Sequence, residues 1–139
     1  MSDCIFCKII QREIPSYEIY RDNDFVAFLN IRPLNPGNVL VIPFDHYRWV
    51  WDVPNVGEYF VLVARIAKAI KKAYSIDYVV SLVFGEEVPH AHVWLVPRFP
   101  GDGHGGAIDL GNVKSLSEIE MKEVQGKLVE ALINVNCIN

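Results

Sequence analysis

Short apolar stretches alternate along the chain with clusters of Asp, Asn, Pro and Gly. Tyr17–Arg21 predicts a strand, Asp22-Asn23-Asp24 a turn, and Phe25–Leu29 the hairpin partner. Pro33, Pro36 and Gly37 exclude regular pairing over the loop Arg32–Gly37. Asn38–Pro43 (NVLVIP) is almost wholly apolar and predicts a central third strand. Val56, Tyr59, Phe60, Val63, Ile66, Ala67, Ile70 and Tyr74 then recur at spacings of three and four. That period predicts a long helix with Asp52 as N-cap and Pro54 in its first turn. Two further strands are expected, Tyr78–Phe84 and Ala91–Pro97, joined by Gly85-Glu86-Glu87-Val88-Pro89. The Gly-rich run from Gly101 to Gly106 cannot hold regular structure. Ser117-x-x-Glu120 forms a capping box opening a last helix, about 117–135, with Met121, Val124, Leu128, Leu132 and Val135 on its apolar face.

This order specifies an α+β fold with a mainly antiparallel five-stranded sheet, one long helix and a C-terminal helix. One sheet face is expected to take the long helix. The other is left to loops, a ligand or a second subunit. Nothing repeats and no linker interrupts the pattern, so residues 1–139 read as a single domain.

Composition narrows the function classes. With 51% hydrophobic and 22% charged residues, disorder is excluded. A net charge of -4 offers no basic surface for a nucleic-acid backbone, although a mononucleotide needs only a local pocket. No apolar run reaches the roughly 18–20 residues of a membrane span. Met1-Ser2-Asp3-Cys4 lacks the basic and apolar regions of a signal peptide, so a cytoplasmic setting with reduced thiols is expected. Cys4 and Cys7 form a C-x-x-C, which in such a setting points to metal or redox chemistry before a disulfide. No thioredoxin-like βαβ pattern surrounds it. Cys137 reads as a packing residue of the last helix.

Pro89-His90-Ala91-His92-Val93-Trp94-Leu95-Val96-Pro97 carries the most chemistry. On a strand, His90, His92, Trp94 and Val96 share one face, and Ala91, Val93 and Leu95 supply the core from the other. The two imidazoles then stand about 6–7 Å apart. Each can serve as nucleophile, general acid or base, or metal ligand, or simply occupy a sheet surface.

Several motifs in order carry a resemblance: Cys4–Ile10 (CIFCKII), Glu13-Ile14-Pro15, Phe25–Leu29, Pro36–Pro43 (PGNVLVIP), His46 and the His90 strand. Over roughly residues 4–110 the chain resembles the histidine-triad (HIT) family, in its bacterial Hint-like branch. The family signature is H-φ-H-φ-H-φ-φ, and the resemblance places its middle, nucleophilic histidine at His92. It implies attack on the α-phosphorus of an AMP-like purine nucleotide, a nucleotidyl-histidine intermediate, and hydrolysis or transfer. The leaving group would be an amine, a phosphate or a second nucleotide. By position, Phe6, Ile9, Phe28 and Ile31 would line the base and Asn30 would face the ribose. Family members are generally homodimers. Bacterial members hold a structural zinc at positions matching Cys4, Cys7, His46 and His90, two sulfurs and two nitrogens suited to a closed tetrahedral site.

Four departures bear on substrate more than on fold. The third triad position is Trp94, whose indole donates one hydrogen bond and cannot titrate; the uridylyltransferase branch carries glutamine there. The glycine-glutamine segment that contacts phosphate before the triad is absent. The usual ribose-binding aspartate is Asn30, and the histidine after Pro-Gly is Asn38. His104 reads as a solvated loop histidine or as a replacement acid. Glu86 and Glu87 are expected to face solvent; turned inward they would repel phosphate. Three functions therefore compete: a nucleotide hydrolase or nucleotidyltransferase, a catalytically weakened nucleotide-binding module, and a zinc-stabilised scaffold.

Overall fold

The computed structural model describes residues 3–138. The elements run α1 (Ile5–Ile10), β1 (Glu18–Arg21), β2 (Phe25–Leu29), β3 (Val39–Pro43), α2 (Val56–Tyr74), β4 (Val79–Leu82), β5 (Val93–Pro97) and α3 (Glu118–Ile138). The strands form one sheet in the order β1-β2-β3-β5-β4, with every neighbouring pair antiparallel. The expected five-stranded α+β fold is thus present. In the hairpin turn, Asp22 Oδ1 accepts from the backbone N–H of Asp24 and of Phe25, both at 2.7 Å.

Strand alternation sorts the apolar side chains into two layers. Phe25, Ala27, Leu29, Val39, Val41, Val93 and Leu95 pack beneath α2 and α3 in the larger core. Val26, Phe28, Leu40, Ile42 and Trp94 point the other way, against Phe6, Ile9 and Ile10 of α1. Both long helices therefore share one face, where the sequence pattern had placed the long helix alone. The opposite face is closed in part by α1, a helix that the pattern does not show. Its six residues are too few to display a period, and its N-cap is unusual: Cys4 Sγ accepts from Cys7 N at 3.4 Å.

The start of α2 differs from the expected Asp52. A 3₁₀ turn, Val50–Asp52, comes first, and the helix opens at Val56 behind Asn55. Val53, which precedes Pro54, is extended at φ -68, ψ 118, so a helix cannot run through it. The buried face of α2 is Tyr59, Leu62, Val63, Ile66, Ala69 and Ile70, whereas Val56 and Phe60 stand at the surface. At α3 the capping box is made as expected, with Glu120 N–H donating to Ser117 Oγ at 3.1 Å and Ser117 N–H to Glu120 Oε1 at 2.8 Å. Met121, Leu128, Leu132 and Val135 are buried there together with Ala131. The Cys137 side chain lies outside the described residues. Among the described residues no helix is long and apolar enough to cross a membrane.

Leu128 is fully buried between the long helices and the sheet. Leu128→Ala should lower the unfolding free energy by about 3 kcal/mol in urea titrations, with the m-value unchanged.

Candidate functional site

The two sheet faces meet the chemistry at His90 and His92, which lie just before β5 rather than inside it. They are unpaired in the ladder, and His90 closes a bend: its N–H turns back to Val88 O at 2.8 Å, while Ala91 N–H donates to Tyr47 O at 2.6 Å. Ala91 packs into the helix-side core, while both imidazoles face α1, with Phe6 meeting them edge-on at 5.9 and 5.2 Å.

Four expected ligands converge. The donor atoms of Cys4, Cys7, His46 and His90 all lie within 4.8 Å of one another, a set able to hold a metal ion. His90 Nδ1 is 3.4 Å from Cys4 Sγ and 3.5 Å from Cys7 Sγ, and His46 Nδ1 is 3.3 Å from Cys7 Sγ. A tetrahedral ion with ordinary Zn–S and Zn–N bonds requires S···N edges of about 3.6 Å. The tautomer also fits. His90 Nε2 lies 2.9 Å from Pro43 O, and because a carbonyl only accepts, Nε2 carries the proton and Nδ1 keeps its lone pair toward the sulfurs. Burial, foremost, pushes the His90 imidazole down to about 4, which keeps it neutral. Burial and then the Cys4 sulfur push the Cys7 thiol up to about 11; a divalent cation reverses that bias by stabilising both thiolates.

His92 is held by the same logic in the opposite tautomer. Its Nδ1 donates to His90 O at 2.8 Å, so Nε2 is the unprotonated nitrogen. Burial lowers its basicity; the His90 carbonyl and the Glu87 charge oppose that, and the Arg48 charge reinforces it.

The His92 ring borders a cleft of ≈ 480 Å³. Phe6, Ile9, Phe28, Asn30, Ile31 and Trp94 all line it, so six of the seven expected substrate-side residues gather around His92. Phe6, Ile9 and Phe28 are buried members of the α1-side core as well as walls; Ile31 is an exposed lip. Trp94 meets Phe84 edge-on at 5.7 Å, and its enclosed Nε1–H has no partner. Asn38 is the residue not brought to the cleft. It is buried behind Asn30, where its Oδ1 accepts from Asn30 Nδ2 and Leu34 N, both at 3.1 Å, and its Nδ2 donates to Leu95 O at 3.1 Å. Its amide therefore orients Asn30, whose own Oδ1 takes Arg32 N–H at 2.9 Å.

The Gly-rich segment corrects the reading of His104. That side chain is not solvated, and it lines neither cavity that His92 borders. It is buried, with Nε2–H donating to Leu34 O at 2.6 Å and Nδ1 accepting from Asp109 N at 3.1 Å. Around it, Asp102 pairs with Arg98 at 2.8 Å and accepts from the N–H groups of Phe99 and His104 and from Asn35 Nδ2. Lys114 Nζ ties Leu34 O and Asp102 O at 3.1 and 2.9 Å. This knot stands in for regular structure and brings Leu110 and Val113 to the cleft. Their only signal in the sequence is that they are isolated apolar residues in a polar loop.

The comparisons identify the family. The HIT domain family matches residues 11–101. A HIT-like protein of Methanocaldococcus jannaschii is 37% identical over 130 residues, 88% of this chain and 99% of that one. The adenosine 5'-monophosphoramidase of Saccharomyces cerevisiae is 37% identical over 100 residues, 68% of this chain and 62% of that enzyme. A zinc-bound histidine triad family protein from Mycobacterium smegmatis superposes with TM-score 0.81 at 27% identity, covering 99% of each chain. With the sheet, the two histidines and the cleft in the same chain, the protein belongs to the HIT domain family.

The Arg98 guanidinium, foremost, holds the Asp102 carboxyl well below the usual carboxylate range. A depressed folded-state pKa stabilises the fold above the unfolded value near ~4, and that contribution fades as pH falls below it. Asp102→Asn should cost about 2 kcal/mol at pH 7. Urea midpoints at pH 7 and pH 3 should show the gap from the parent protein narrowing at the lower pH.

Proposed function

We propose that this protein is a nucleotide hydrolase or nucleotidyltransferase that acts on the α-phosphate of AMP-like substrates through a nucleotidyl-His92 intermediate. The observation that carries the reading is the Nδ1–H bond to the His90 carbonyl, which leaves His92 Nε2 as the nucleophilic nitrogen of a ring bordering the cleft. In the first step the Nε2 lone pair bonds to phosphorus as the bond to the leaving group breaks. The leaving group departs with that electron pair and takes a proton from solvent as its basicity demands. Water or another acceptor then attacks phosphorus, the Nε2–P bond breaks, and the lone pair returns to Nε2.

The nucleoside half fits the larger cavity. Phe6, Ile9, Phe28 and Ile31 offer apolar surface to a purine base, and Asn30, oriented by Asn38, offers an amide to the ribose hydroxyls. The yeast relative is named an adenosine 5'-monophosphoramidase, which supports adenosine phosphoramidate as a substrate to try; dinucleoside polyphosphates rest on the sequence resemblance alone. A second reading, a nucleotide-binding module with weakened chemistry, is favoured by the sequence: the resemblance assigns the third histidine's position to Trp94, which lines the cleft, and indole supplies no titratable proton.

Zinc is the metal we assign to Cys4, Cys7, His46 and His90. Four protein ligands leave no open position, so the ion's contribution is structural: it ties α1 to the segment that carries His92. This pairing of free cysteines suits a reducing, cytoplasmic setting. A homodimer is the assembly we favour, because β4 is an edge strand and α2 exposes Val56, Phe60 and Val61.

Incubation with adenosine phosphoramidate or diadenosine polyphosphates should release AMP, and His92→Ala should reduce the rate by at least about a thousandfold. AMP bound tightly by both proteins with no release from either would favour the binding module. Elemental analysis should find one zinc per chain. Chelation, or Cys7→Ser, should lower the melting temperature by more than about 10 °C, read by circular dichroism without any substrate.

A further inference from the structure

A second cavity of ≈ 330 Å³ adjoins the first and is lined by Phe84, Glu86, Glu87, His92, Trp94 and Leu110. Glu87, His92, Trp94 and Leu110 line both, so the two cavities meet at the His92 ring. A nucleotide conjugate has two halves joined at phosphorus. With phosphorus at His92 and the nucleoside in the larger cavity, the smaller one is left for the other half.

We infer that this smaller cavity is a leaving-group site selective for a group that carries a positive charge. The inference rests on the nucleotide reading of the larger cavity and deepens it. The chemistry of the walls gives the selection. Phe84 and Trp94 meet at 5.7 Å and 89°, offering an aromatic corner that accepts apolar and cationic groups alike. Glu86 and Glu87 add two carboxylates that no salt bridge or hydrogen bond engages among the described residues. Apart from His92 the lining contains no basic side chain. A polyphosphate entering here meets two like charges, whereas an ammonium or guanidinium meets two opposite ones.

The carboxylates stand on a braced loop. Arg48 donates to Gly85 O and approaches Val88 O at 3.5 Å, and its guanidinium lies 4.2 Å from the centre of the Trp49 ring. Gly85 sits at φ +100, and a Cβ there would come within 2.6 Å of Trp49 Cζ3, so only glycine lets the loop close on that ring. The Arg48 charge reaches His92, but its donors are directed at backbone carbonyls and it makes no ion pair with Glu86 or Glu87. The loop that lacks the family's glycine-glutamine phosphate contact thus has a different use, recognition of the group that leaves.

The test uses three AMP amidates whose alkyl tails are of equal length and end in ammonium, methyl or carboxylate. Calorimetry on the His92→Ala protein measures their affinities without turnover. The ammonium tail should bind about tenfold tighter than methyl and the carboxylate tail weaker than methyl, and the spread should shrink in high salt. Adding Glu86→Gln and Glu87→Gln should bring the three tails within about twofold of one another. Equal affinities in the parent background, or a preference that survives the double substitution, would overturn the inference with the nucleotide reading intact. Failure of AMP itself to bind would remove that reading, and this inference with it.

Discussion

Four separate demands converge on His90. Its Nε2–H is fixed by the Pro43 carbonyl at the end of β3, its Nδ1 faces the two cysteine sulfurs, its ring edge meets Phe6, and its own carbonyl holds Nδ1 of His92. The cysteine–histidine cluster and the His92 ring are thereby coupled through one residue. The coupling runs through hydrogen-bond direction: a carbonyl cannot donate, so each contact fixes one tautomer and determines where the free lone pair lies. Burial pushes both imidazoles toward the neutral form, so each keeps one ring nitrogen with a free lone pair. Every other feature of the site, from the Phe6 wall to the junction of the two cavities, is arranged around this pair.

The sheet reaches that arrangement by alternation. β2, β3 and β5 are covered on both faces, so each supplies one row of side chains to the helix core and one to the α1 layer. The same alternation that puts Ala91 and Val93 into the core aims His92 and Trp94 at the cleft. Function and packing are therefore set by a single register, and a slip of one residue would exchange them.

Much of this was legible in the sequence because it is periodic or local. Strands such as Phe25–Leu29 declare themselves by composition, the Ser117–Glu120 box by its spacing, and the ligand set by the C-x-x-C and the histidine strand. What was not legible depends on contacts distant in the chain. α1 is too short to show a period and is capped by a thiol. The start of α2 was misplaced because Pro54 acts on Val53 before it, ending the 3₁₀ turn instead of opening the helix. His104 could not be read correctly, since its Leu34 partner is a backbone carbonyl 70 residues away and carries no side-chain signature. Glu86 and Glu87 are solvent-exposed as expected; what could not be read is that they also edge a cavity completed by Leu110, from a loop that only the folded chain brings near.

The position of residues 4–10 also shapes how the site is assembled. Cys4 and Cys7 meet His90 across separations of 86 and 83 residues, and Cys7 meets His46 across 39. Residues 4–10 supply a wall of the cleft and half of the cysteine–histidine cluster, and they are synthesised before the partners they need. They must wait for the third strand and then for His90, by which time the helix-side core has most of its parts. Closing loops of that length costs entropy before any contact compensates, so this face condenses late. A metal ion held by residues from both ends of the interval would act as the latch on that final step, and the cleft exists only after residues 4–10 have docked beside His90.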